Sequence, residues 1–145
     1  MKKSVIFMIG IIYAASIMLV TFYGLVTEDA PTDSIPVKSI EIVGENVGES
    51  SGEKFVWLDS PLLSGGSLTY QIQCKLTPDN TTNTAVIYET DDPYASVDEN
   101  GLVTITGFSE AGGVNVITVK VYATDDEGNK STAITDVLNI WYASE

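Results

Sequence analysis

Arginine and histidine are absent from these 145 residues, and cysteine occurs once. Without histidine there is no Ser-His-Asp or Cys-His catalysis and no His-ligated zinc site. A single cysteine, Cys74, can form neither an internal disulfide nor a Cys-rich metal centre. Positive charge is scarce: seven lysines stand against twenty Asp and Glu, for a formal net charge of −13 and a pI near 4.1. That balance argues against nucleic acid as a partner, because phosphate backbones need Lys and Arg. What is present is a 44% hydrophobic fraction in a 15.6 kDa chain, enough for the core of one domain of ordinary size.

The hydrophobic residues are unevenly spread. Lys2 and Lys3 open the chain, and no charge follows until Glu28. Residues 4–26, SVIFMIGIIYAASIMLVTFYGLV, are nearly all apolar. As a helix this run reaches roughly 35 Å at about 1.5 Å per residue. The hydrocarbon core is about 30 Å thick, so residues 1–27 are expected to form a single transmembrane signal anchor with the bilayer as its partner. A cleaved signal peptide has a shorter apolar stretch and a small-residue cut site, and the length of this run favours the uncleaved anchor. The lysines place the N-terminus in the cytoplasm, and the acidic flank Glu28, Asp29 and Asp33 places the rest outside. From residue 28 onward, five lysines against twenty acids leave −15.

Residues 28–36, EDAPTDSIP, read as an extended linker because Pro31 and Pro36 resist helix. Beyond it the hydrophobic period becomes two, which signals strands. VKSIEIV (37–43) is a β-rich stretch near a sheet edge. In LTYQIQCKL (68–76), Leu68, Tyr70, Ile72, Cys74 and Leu76 share one face. TAVIYET (84–90) is β-branched and aromatic. VNVITVKVYAT (114–124) puts Ile117, Val119, Val121 and Ala123 opposite Thr118, Lys120 and Tyr122. STAITDVLNIWY (131–142) holds Ile134, Leu138, Ile140 and Tyr142 in phase. Asp-, Asn- and Gly-rich turns separate these runs, among them Asp98-Glu99-Asn100-Gly101 and the hairpin turn 125–129. Residues 44–67 read as a long loop bearing a small edge strand at 54–58. The fold class expected is all-β, a sandwich of about seven strands over residues 37–142.

With the strands placed, four segments resemble a bacterial Ig-like domain of the group 2 type, the module of intimin- and invasin-like surface proteins. They are VKSIEI (37–42), LTPDNTTNTAVIYETDDP (76–93), YASVDENGLVTITG (94–107) and GGVNVITVKVYATD (112–125). The third is the most specific, through its Ala-x-Val-Asp-x-x-Gly-Leu-Val text. The family usually has Trp where Tyr88 stands, and it usually occurs as tandem stalks, whereas one domain is present in this chain. The resemblance implies an Ig-like sandwich, no enzymatic activity, no cofactor and a binding, adhesive or structural role at the bacterial cell surface. A small accessory subunit of a larger membrane complex is the alternative.

Few residues point to chemistry. Cys74 reads as a small inward hydrophobe. Asp91, Asp92, Asp98, Asp125 and Asp126 are calcium-ligand types, yet they are also the residue types of solvated turns, and no EF-hand spacing is present. No pair of carboxylates is marked as a glycosidase acid and nucleophile. Trp57, Trp141 and Tyr142 are the interaction candidates, since Trp and Tyr are favoured at interfaces. Trp141 and Tyr142 are neighbours on a strand, so only one of the two can face the core.

Overall fold

A computed structural model describes residues 33–145, and Ser34–Glu145 forms one compact unit. The expected membrane anchor lies outside the described residues. Among the described residues no helix is long and apolar enough to cross a membrane. The unit is all-β, with ten strands: β1 (Ser39–Val43), β2 (Gly48–Ser50), β3 (Glu53–Leu62), β4 (Leu68–Gln71), β5 (Gln73–Thr77), β6 (Val86–Glu89), β7 (Ala95–Val97), β8 (Leu102–Ile105), β9 (Val114–Thr124) and β10 (Lys130–Ser144).

One layer is a five-stranded sheet in the order β2-β3-β10-β9-β6. The other layer is in two pieces, β1-β5 and β4-β8-β7. Their inward side chains form one sandwich-like core. Ile40 and Ile42, then Val103 and Ile105, meet Val56, Ile117, Val119, Val121, Leu138, Ile140 and Tyr142 from the five-stranded sheet. The alternation read from the sequence sets this core. Along β9 the inward residues from Asn115 to Ala123 are buried, while Thr118 and Lys120 are exposed. Along β10, Leu138, Ile140 and Tyr142 are buried in phase.

Three features differ from the sequence expectation, the first being that ten strands stand where about seven were expected. The run 68–76 keeps its inward face but is broken at Ile72, so that β4 pairs with β8 and β5 pairs with β1. Ile72 itself is buried, and its N–H donates to the carbonyl of Gly101 instead of to a neighbouring strand. The small edge strand expected at 54–58 is in fact β3, ten residues long and interior to its sheet. It pairs antiparallel with β2 on one side and parallel with β10 on the other. Its inward face carries Lys54 beside Val56, and that lysine hid the alternation from a hydrophobic count.

Lys54 is buried because its ammonium is fully used. It donates to the carbonyl of Ile42 (2.8 Å) and to Glu41 Oε1 (3.1 Å), and it stands 3.2 Å from Asp136 Oδ2. The same Asp136 oxygen accepts the N–H of Ile42 at 2.7 Å. The peptide groups of Ile42 that face the other layer are therefore satisfied by side chains of β3 and β10, not by a strand, which clips β1 to the five-stranded sheet.

The two poles of the sandwich are defined by the hairpin turn and by the chain's end. Ser34 donates to Asp126, and the N–H of Ile35 donates to Thr82 Oγ1 at 2.8 Å, so the chain enters beside the turn 125–129. At the other pole the N–H of Ser144 donates to Gly113 and that of Glu145 to Leu62. The eleven residues of β9 separate these poles by roughly 30 Å at about 3.3 Å per residue.

Candidate functional site

The outward face of the five-stranded sheet gathers most of the large exposed apolar side chains. Trp57 on β3 and Trp141 on β10 are register partners, and Val116 on β9 is the partner of Trp141 on its other side. These three side chains form one row across three strands. Trp57 is 47% exposed and Trp141 37% exposed, although both sit on interior strands of the sheet. Phe55, two residues before Trp57, and Val114, two before Val116, lie on the same outward face and are also exposed. The ring of Phe55 covers Gly48 on β2, where an added Cβ would come within 2.7 Å of its Cζ.

Polar groups frame this row. Thr118 Oγ1 donates to Asn139 Oδ1 at 2.9 Å, and Asn139 Nδ2 donates to Glu53 Oε2 at 3.4 Å. On the β6 side a groove of about 380 Å³ is bordered by residues 89–93 and by Val116, Thr118 and Lys120. Its wall is pinned by Thr90, whose hydroxyl donates to the carbonyl of Thr118 at 3.0 Å. Lys120 Nζ stands 3.7 Å from Asp91 Oδ2, and both groups are well exposed, so this pair holds little energy. Lys130 Nζ lies 2.8 Å from Glu89 and 4.6 Å from the centroid of the Tyr122 ring.

Of the three interaction candidates, Trp57 and Trp141 are brought side by side. Tyr142 is corrected to a core residue: it is 1% exposed and its hydroxyl donates to the carbonyl of Gly107 at 2.9 Å. Strand alternation makes Trp141 the outward ring of the pair. Phe55, Val114 and Val116 were missed from the sequence, yet extending the alternation of β9 backward from Thr118 puts Val116 and Val114 on that same outward side.

The calcium-type residues are not brought together. Among the described residues no three His, Cys, Asp or Glu side chains are grouped so as to hold a metal ion. Asp98 Oδ1 accepts the N–H groups of Asn100 and Leu102, both at 2.9 Å. Asp125 Oδ1 accepts those of Glu127 and Asn129, and these backbone donors hold its carboxyl below the usual range. Asp92 Oδ1 accepts the N–H of Tyr94 at 2.8 Å, Asp91 faces Lys120, and Asp126 accepts from Ser34. Each carboxylate has a turn or a pair to serve.

Cys74 lies on the inward side of β5, half-buried, with burial raising its thiol pKa, the opposite of a reactive setting. The Tyr88 hydroxyl reaches its Sγ at 3.9 Å. No protein-family model matches the chain, and no curated protein matches it.

Proposed function

We propose that the chain is a non-enzymatic, single-pass membrane protein that displays one Ig-like domain outside the cell as a binding or structural module. The observation that carries the binding role is the outward row of Trp57, Trp141 and Val116, apolar side chains left uncovered on interior strands. The Ig-like assignment is supported by strand order. An immunoglobulin constant-type sandwich pairs its fourth, fifth and second strands in one sheet and its third, sixth and seventh in the other. With β4 and β5 counted as the second strand, β7-β8-β4 and β6-β9-β10 follow that order. The bacterial group 2 type is supported by the text at 94–107, whose turn is the β7–β8 hairpin. The anchor is supported by the apolar run 4–26 and the charges on its flanks.

Protease added to intact cells stripped of wall tests this reading. The domain should be digested while the N-terminus stays protected, and full protection of the domain refutes it. The same uncovered row also suits an accessory subunit seated permanently on a larger complex. That alternative requires a fixed partner to co-purify in mild detergent.

A further inference from the structure

We infer that the outward aromatic face docks a protein segment that is both basic and apolar, with its apolar side chains on Trp57 and Trp141 and a Lys or Arg in the adjoining groove. This rests on the binding role proposed above and names its partner class. The face and the groove are continuous, because Val116 belongs to both. The groove is walled by Asp91 and Asp92, and its own cation, Lys120, is held only loosely by Asp91. On the opposite flank stands Glu53, tied to Asn139. Acids therefore border an apolar centre on two sides, and indole faces attract cations as well as apolar groups.

Charge also decides between occupants. Ser34–Glu145 carries five lysines against seventeen acidic residues. A second copy would bring the same excess to the interface, and net charge of this size keeps proteins apart. Anionic lipid is repelled for the same reason. Ser34 lies at the pole of the turn 125–129, whereas Val116 stands near the start of β9, toward the other pole, and Trp141 beside it near the end of β10. Within this unit the row thus lies away from Ser34, on an exposed face that a separate protein can reach.

The test uses the full chain in nanodiscs of zwitterionic lipid, with empty nanodiscs as the reference. Three labelled octapeptides serve as probes: alternating Lys and Leu, alternating Lys and Ser, and alternating Glu and Leu. The Lys-Leu peptide should bind at least about tenfold more tightly than either of the others, since it alone matches both the charge and the apolar row. Trp57→Ser with Trp141→Ser should weaken it by about tenfold or more. Asp91→Asn with Asp92→Asn should weaken it several-fold and flatten its salt dependence. Val116→Lys, an exposed position, should abolish binding with the thermal melt unchanged, and it decides the matter if the tryptophan variant fails to fold. Equal binding of the Lys-Ser or Glu-Leu peptide, full binding by the variants, signal accounted for by empty nanodiscs, or a concentration-dependent dimer lost in the tryptophan variant would each overturn the inference. Protease exposure on cells is read without these peptides, so loss of peptide binding with exposure retained overturns the partner class alone.

Discussion

Gly101 is the residue at which backbone and packing impose the same demand. Its φ is 79°, a left-handed conformation, and a Cβ built there would lie 2.7 Å from Cζ of Tyr88. Gly101→Val is therefore expected to destabilise by about 2–4 kcal/mol, joining the cost of a forced backbone outlier to that of displacing a ring. Glu99→Val, in the same turn, meets neither demand, and its melting temperature should stay near that of the parent. A left-handed residue at Gly101 or Asn100 was legible in the text Asp98-Glu99-Asn100-Gly101, and the structure puts it at Gly101. The Tyr88 contact was not, because it depends on how β6 packs against the β7–β8 hairpin.

Tyr88 carries a second consequence. Burial, reinforced by Cys74 and Asp98, pushes its phenol from about 10 to about 12. Lys54 is also raised: burial disfavours its ammonium, but Glu41 and Asp136 outweigh that. In both cases the folded state holds its proton more tightly than the unfolded chain does. The associated stability is fully present below the unfolded values and is lost as pH rises through the folded ones. Denaturant midpoints should thus fall between about pH 10 and pH 12. Tyr88→Phe should flatten that fall if its core packing is retained.

At the scale of the element, β9 and β4–β5 show what alternation can and cannot deliver. Ile72 and Val119 are buried at the centre of the core, while Gln73 and Lys120 beside them are exposed. Ile72→Asp and Val119→Asp should each unfold the domain, since an unpaired buried charge costs several kcal/mol and that is the order of the whole stability. Gln73→Asp and Lys120→Asp should be mild in the same denaturant titration. Period two in the sequence identified these faces, but it did not tell which strand pairs with which. The break at Ile72 is set by the Gly101 carbonyl that receives its N–H, a contact far away in sequence.

β3 makes the same point for the site. Trp57 and Trp141 were visible as candidates, yet their pairing arises from a parallel match of two strands distant in the chain, which no local pattern encodes. Lys54 concealed the strand's interior position because its burial depends on Asp136 and Glu41, and partners of this kind cannot be counted from composition. Lys54→Met should cost about 2–4 kcal/mol by leaving Asp136 and the Ile42 carbonyl without their cation. Chemical denaturation would measure it, and a loss within about 0.5 kcal/mol, the range of an ordinary surface substitution, would show that β1 does not need the clip.

At the scale of the whole described unit, the placement of Ser34 and Glu145 matters most. The chain enters at one pole beside Asp126, and β10 finishes at the other beside Gly113 and Leu62. Between them β3 and β10 run side by side in the same direction. A pull applied between the entry point and the far pole is directed along these strands. It is taken up through β1, which Lys54 and Asp136 clip to β3 and β10, so it strains these contacts in shear and does not peel the strands open singly from one end. Loaded between Ser34 and its far pole, the unit thus bears tension along the length of its strands. Single-molecule pulling along this axis should give a higher rupture force than pulling across β9 and β10 from their shared hairpin.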